Sequence, residues 1–286
     1  MARAPYVLSL PPVRQSSVIF ASPHSGRDYP WSFLRNSQLD AHAIRSSEDA
    51  FVDDLFAAAP SLGAPLLCAT VPRAYLDLNR AAEELDSALI DGYRATAHNP
   101  RIASGLGVIP RVVANGRAIY AGKLTLAEAD RRIARYWRPY HAALADLLAQ
   151  SHALCGEAIL IDCHSMPHEA LDGMARSGPR RPDVVLGDRF GASAAPEITD
   201  RVEAALLRAG LKVVRNAPFA GAYMAQTYGR PSRRQHVVQI EIDRALYMDE
   251  AAITPHVGFD PLRRRLTDVI ADIVAIGAAP GALAAE

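Results

Sequence analysis

The sequence predicts a layered α/β fold, a three-layer sandwich with a mixed, mostly parallel central sheet flanked by helices. Three observations support it. Short apolar runs bounded by turn residues alternate with longer segments of helical period, the pattern of strands layered with helices. Half of the 286 residues are hydrophobic and 22% are charged, ordinary values for a packed core. No linker or shift in composition interrupts the alternation, so the chain reads as a single domain over 1–286. Only the Ala/Gly/Pro-rich tail over 277–286 is expected to fray.

Taken in order, the strand signals fall at 17–21, 65–70, 158–161, 183–186, 211–215 and 237–242. Between them lie helical segments. Residues 48–59 carry Phe51, Val52, Leu55 and Phe56 on one side. Residues 125–154 open with Thr125-Leu-Ala-Glu128, a capping box, and Pro139 should kink or split that helix. Residues 197–209 and 262–276 complete the set. In such folds ligands collect at the carboxyl ends of the strands, which directs attention to His24, His164 and Glu241.

Basic and acidic residues balance at 31 each, for a formal net charge of zero. That argues against nucleic acid or an anionic membrane as partner, since both call for surplus Lys and Arg. No run approaches the ~18–20 apolar residues needed to span a bilayer, and prolines break the N-terminus before a signal-peptide core can form. The cysteines Cys68, Cys155 and Cys163 sit in or beside apolar runs at spacings unlike a metal ribbon. Buried reduced thiols are expected, and with them a cytoplasmic location. Phosphate-loop and nucleophile-elbow patterns are absent, and Gly105-Leu-Gly107 lacks the third glycine and preceding strand of a dinucleotide fingerprint. Cys163 beside His164 suggests a thiol nucleophile, but period-2 geometry sends the two side chains to opposite faces.

The candidate chemistry begins with two histidines. His24 opens a loop with Ser25 and Gly26 directly after a strand, and Asp162 and His164 share one face at the end of another. A lone strand-end histidine is more readily a hydrogen-bonded core or loop residue than a ligand; two at equivalent strand ends bring the two readings level. His168 lies near enough to His164 to belong to its rim. His42, His98, His141, His152, His236 and His256 carry no such signal.

Each further candidate has a plainer reading beside it. Ser46-x-x-Asp49 resembles a capping box whose acid complements a helix dipole. The same stretch offers Asp49 or Glu48 as the carboxylate that would join two histidines in a zinc site open to water. Both hold together if a first-turn carboxylate faces outward. Gln239, Glu241 and Asp243 share a face of an alternating run, which fits an edge strand with a solvated face. It also fits a general base whose carboxyl is raised by apolar surroundings. Over 74–80, Asp77 and Asn79 would share a strand face with Arg80 at its exit, where a guanidinium fork can hold a substrate carboxylate. Arg73 and Arg111 are comparable candidates.

With these residues in view, the chain resembles the N-formylglutamate amidohydrolase family from about Val18 to Glu250. The resemblance rests on Ser22-Pro-His-Ser-Gly26, Glu48-Asp-Ala-Phe-Val-Asp-Asp-Leu55, Tyr75-Leu-Asp-Leu-Asn-Arg80, Tyr136-Trp-Arg-Pro-Tyr-His141 and Ile161-Asp-Cys-His-Ser-Met166. Pro218-Phe-Ala-Gly-Ala-Tyr223, His236-Val-Val-Gln-Ile-Glu241 and Tyr247-Met-Asp-Glu250 follow in order. Singly these are loose patterns; together and in order they are specific.

The resemblance implies a fold of the zinc-dependent exopeptidase and aspartoacylase type. It implies one zinc ion held by His24, His164 and the acid that opens the helix after the first loop, Asp49 with Glu48 as its immediate rival. Glu241 would activate water and then protonate the leaving amine. Asn79 and Arg80 would grip a substrate carboxylate, and Tyr223 joins the substrate-binding set. One departure stands out: Gly221-Ala222-Tyr223 replaces an expected Gly-Gly-Tyr, which would reshape the pocket. The implied activity is hydrolysis of a small N-acyl, by family an N-formyl, amino acid such as N-formyl-L-glutamate. Two alternatives stay open: a carboxypeptidase-like or aspartoacylase-like hydrolase of another N-acyl or peptide substrate, and a non-catalytic binding protein on the same fold.

Overall fold

A computed structural model describes residues 4–94, 99–175 and 181–278. All six expected strands form, and a seventh, β1 (Tyr6–Ser9), joins them. The others are β2 (Val18–Ser22), β3 (Leu66–Ala69), β4 (Ala158–Met166), β5 (Val184–Gly187), β6 (Val213–Arg215) and β7 (Gln235–Asp243). They make one sheet in the order β1-β3-β2-β4-β7-β5-β6. β4 runs parallel to both β2 and β7, β5 is parallel to β6, and β5 is antiparallel to β7. The sheet is therefore mixed and mostly parallel, as expected. The main helices are α1 (Leu126–Arg132), α2 (Arg138–Cys155), α3 (Pro196–Arg208), α4 (Tyr223–Tyr228) and α5 (Phe259–Ile276). Among the described residues no helix is long and apolar enough to cross a membrane. Most of the tail expected to fray, 279–286, lies outside the described residues.

Chain contacts divide the molecule into two compact units. The sheet unit comprises Leu8–Ser22, Phe51–Leu67 and Leu144–Glu286. Its core is built from strands buried along their whole length: every residue of β2, β4 and β5 is buried. Such strands read as continuous apolar runs, as parallel strands covered on both faces do. α3 and α5 pack on each other, and α5 contributes Leu266, Val269, Ile270 and Ile273 to the core. The loop unit comprises Met1–Val7, Pro23–Ala50 and Cys68–Ala143. It has few regular elements and centres on a buried arginine. The Arg132 guanidinium lies 4.0 Å over the Tyr75 ring and donates to Tyr120 Oη at 2.8 Å and to Glu128 Oε1 at 2.8 Å. Phe33 packs edge-on to Tyr75, which in turn packs edge-on to Tyr136.

Four expectations about local structure need correction. The strand expected over 158–161 runs on to Met166, so Asp162 and His164 lie inside β4, which ends at Pro167, a residue with no N–H for the ladder. The helix expected over 48–59 is broken. Ala43–Ser47 is a 3-10 turn, Glu48 is extended, Phe51 is left-handed at φ 65°, and only Val52–Leu55 is α-helical. Ser46 donates to the Ala43 carbonyl at 2.9 Å instead of capping Asp49, so neither Asp49 nor Glu48 opens a helix. The strand expected over 74–80 is a series of buried turns. β7 is no edge strand, since it lies between β4 and β5.

Half of the capping box at Thr125 is realised: Thr125 Oγ1 accepts the Glu128 N–H at 3.2 Å, while the Glu128 carboxylate accepts from Arg131 and Arg132. The expected split at Pro139 takes the form of a π-helical turn, Ile133–Trp137, immediately before α2. The turn absorbs the break in the ladder, and Pro139 then sits in the first turn of α2, where a missing N–H costs little.

Candidate functional site

In the loop unit, the chain after β2 turns tightly at Gly26. A Cβ there would sit 2.1 Å from the Val71 carbonyl oxygen, so only glycine allows this approach. The turn buries His24 with its ring between two carboxylates. Nε2 lies 2.7 Å from Asp77 Oδ1, and Nδ1 faces Asp49 Oδ2 at 3.4 Å. An ionised carboxylate only accepts, so the Nε2–H donates to Asp77, and the other ring nitrogen, Nδ1, is the one turned toward Asp49. Asp49 is held in turn by its own N–H, which donates to the His24 carbonyl at 3.1 Å. Burial pushes the Asp77 carboxyl up, but the charges of His24 and Arg73 prevail and hold it well below the usual carboxylate range. Arg73 Nε donates to Asp77 Oδ2 at 3.0 Å.

Glu48 does other work. Its carboxylate accepts from Tyr29 Oη at 2.6 Å and from Nε and Nη2 of Arg45 at 3.0 Å each.

Asn79 and Arg80 follow Asp77 in the buried turns. Asp77 Oδ1 also accepts the Asn79 N–H at 2.8 Å, so one carboxylate fixes both the imidazole and the next backbone turn. Arg80 Nε donates to the Leu106 carbonyl at 3.1 Å. Burial pushes the Arg80 guanidinium down from its ordinary value, Asp77 works in the opposite direction, and Arg73 and Arg101 add to the lowering. Three arginines thus share one neighbourhood, a setting suited to an anionic group. Arg111 has a different engagement, donating to Asp86 Oδ2 at 2.9 Å and to the Ala103 carbonyl at 3.3 Å.

In the sheet unit, His164 on β4 stands opposite Glu241 on β7 in the parallel register. His164 Nε2 lies 3.0 Å from Asp162 Oδ1, two residues earlier on the same face. Glu241 Oε1 accepts from Gln239 Nε2 at 2.9 Å, and Gln239 Oε1 accepts the Ala222 N–H at 3.2 Å. Gln239 therefore ties the Glu241 carboxylate to the start of α4, whose first residue is Tyr223. The departure at 222 is absorbed locally. Gly221 is the residue with φ 108°, where a side chain is strained, whereas Ala222 has φ −107°. His168 turns to the strand end, its Nδ1 2.7 Å from Asp243 Oδ2 and its Nε2 2.5 Å from Arg181 Nη1.

β2 and β4 run parallel with Ala21 opposite Asp162. The chain therefore leaves β2, two residues before His24, at the sheet edge that β4 reaches with His164. Among the described residues, His24, Asp49 and His164 form a buried group that could hold a metal ion. The donor set fits: two imidazoles and one carboxylate are the ligand types of catalytic zinc sites that keep a position open. The His24 imidazole also has a buried carboxylate against its other nitrogen, the arrangement that orients metal-binding histidines, and His164 has buried Asp162 3.0 Å from its Nε2. The sequence reading gave those partners no role. Asp162 was legible through period 2, but Asp77 is 53 residues from His24 and carried no local signal. Arg101 was missed, and Gln239, seen only as sharing a face with Glu241, was given no role.

Fold and site thus describe an α/β protein with one strand-borne and one loop-borne histidine, each beside a buried carboxylate. The sequence pattern of the N-formylglutamate amidohydrolase family matches residues 16–248, and the chain belongs to that family. It is 31% identical to an N-formylglutamate deformylase of Pseudomonas aeruginosa over 82% of this chain and 83% of that one. It is 28% identical to an N-formylglutamate deformylase of Pseudomonas putida, over 82% of each chain. The crystal structure of an N-formylglutamate amidohydrolase from Ralstonia eutropha JMP134 is 38% identical, with a TM-score of 0.89 over 96% of this chain and 99% of that one.

Proposed function

We propose that this protein hydrolyses the amide of an N-formyl amino acid, N-formyl-L-glutamate by the names of its relatives, to formate and the free amino acid. The observation that carries the reading is the His24 ring, pinned through Nε2 by buried Asp77 while Nδ1 faces Asp49. His24, Asp49 and His164 would hold one divalent metal, zinc by the donor types. Asp49 is preferred over Glu48, whose oxygens already hold Tyr29 and Arg45. A bound ion would polarise the acyl carbonyl and lower the pKa of water.

The chain's own groups do the rest. Glu241, anchored through one oxygen by Gln239, accepts a proton from the attacking water and returns it to the departing amine nitrogen. Asn79, Arg80 and Arg73 would bind a substrate carboxylate, and Tyr223 joins the substrate-binding set. Arg111, ion-paired to Asp86 much as Arg73 is to Asp77, is a further candidate for that grip. The test is formate release from N-formyl-L-glutamate, alongside N-acetyl and N-succinyl amino acids, before and after chelation. Formate release that chelation abolishes and zinc restores is the expected result. Full turnover by a metal-stripped protein would refute the metal assignment, and faster cleavage of another acyl group would refute the substrate.

A further inference from the structure

The segment Tyr136-Trp-Arg-Pro-Tyr-His141 has no part in the chemistry above, yet it makes two specific bonds. Leu78, Asn79 and Arg80 are 0%, 2% and 7% exposed and belong to neither a helix nor a strand. Buried carbonyls outside regular structure need donors from elsewhere. The Trp137 indole Nε1–H donates to the Arg80 carbonyl at 2.9 Å, and His141 Nε2 lies 2.9 Å from the Leu78 carbonyl. A carbonyl only accepts, so the His141 proton is on Nε2. These two carbonyls flank Asn79, whose own N–H goes to Asp77 at 2.8 Å. The clamping rings are four residues apart and lie face against face, centroids 4.0 Å apart and tilted by 34°. Trp137 also closes the π-helical turn Ile133–Trp137, an element frequent at functional sites.

We infer that Trp137 and His141 are positioning residues that clamp the backbone on both sides of Asn79, so that the Asn79 amide and Arg80 guanidinium meet a substrate carboxylate at a fixed spacing. The inference rests on the proposed role of that pair. A carboxylate remote from the scissile bond is gripped equally in ground and transition states, so a slackened clamp raises KM and leaves kcat nearly unchanged.

The test compares the intact wild-type protein with Trp137→Phe, which keeps a ring and loses the donor. It adds His141→Leu, and His141→Gln, which keeps an N–H at the ε position. For N-formyl-L-glutamate, Trp137→Phe and His141→Leu should each raise KM about tenfold, the effect of one hydrogen bond's worth of binding. kcat and metal content should hold, and His141→Gln should recover most of the affinity. Calorimetric titration with glutarate, which has carboxylates but no scissile amide, reads the same grip without turnover. If the wild type releases no formate while Trp137→Phe still weakens glutarate binding about tenfold, the proposed reaction fails and the clamp stands. Equal glutarate affinity in wild type and variants, no glutarate binding by the wild type, or a fall in kcat at unchanged KM would overturn it.

Discussion

His24 and His164 reach comparable chemistry by different routes. His164 sits within β4, hydrogen-bonded into the sheet on both sides, with its carboxylate partner two residues away on the same face. His24 sits in a loop, and its partner Asp77 comes from a second loop 53 residues on. The strand-borne histidine inherits its geometry from a ladder of backbone bonds. The loop-borne one depends on a single buried carboxylate that also holds Asn79 and Arg73. Strand geometry is cheap to encode, whereas loop geometry concentrates several functions on one side chain.

The largest effect expected is on the strand side. Glu241→Gln should lower kcat about 10²–10⁴-fold, the range for losing a general base, with metal content unchanged. Metal lost together with activity would instead make Glu241 a ligand.

The comparison itself is sharpened by Asp77→Asn against Asp162→Asn. Each should weaken metal affinity or activity about 10–100-fold, as loss of an orienting partner does. Only Asp77→Asn should also raise KM, because Asp77 alone of the two holds Asn79 and Arg73. Identical kinetic signatures for the two variants would dissolve the distinction.

A smaller effect separates two adjacent loop positions. At Gly221 a Cβ would lie 2.9 Å from that of Ala225 on a backbone with φ 108°. Gly221→Ala should destabilise the fold by about 1–3 kcal/mol, read as a lowered Tm, while Ala222→Gly should change it by about 1 kcal/mol or less.

The smallest effect tests a histidine with no part in the site. His236, near the start of β7, accepts the Ala195 N–H on Nδ1 at 3.2 Å, and its Nε2 faces Glu157 at 3.4 Å. Burial pushes His236 below its ordinary value of 6.5, outweighing Glu157, which raises it. The unfolded chain therefore takes up this proton at higher pH than the folded one. The contribution is fully present above pH 6.5 and is lost as pH falls through the lower folded value, at no more than about 1.4 kcal/mol per pH unit. His236→Gln should flatten the dependence of Tm on pH below 6.5. An unaltered profile would show that another group titrates there.

Much of this was legible in the sequence where one period governs. Six strands, the shared face of Asp162 and His164, and that of Gln239 and Glu241 all follow from alternation, because a strand's neighbours are fixed by its backbone. The loop unit resisted the same reading. Over 48–59, Phe51, Val52, Leu55 and Phe56 mimic a helical stripe, yet Phe51 turns left-handed and the chain is helical for only four residues. The alternation of 74–80 mimics a strand, but the Asp77 N–H bonds to the Val108 carbonyl and its carboxylate bonds to Asn79, so side-chain bonds set the path. Contacts spanning tens of residues leave no periodic trace. Asp77 and Arg101 could not be assigned roles without coordinates.

The buried ladder around β4 also bears on how such a protein can be retargeted. Shifting His164 or Glu241 by one position would flip every neighbouring side chain to the wrong face of the sheet, so an insertion or deletion there would disrupt the core. Arg73, Asn79 and Arg80 hang from a few individual bonds, each replaceable without disturbing a register. A mutant library aimed at new acyl amino acids belongs on those turns and on the clamp behind them, with the two central strands left alone.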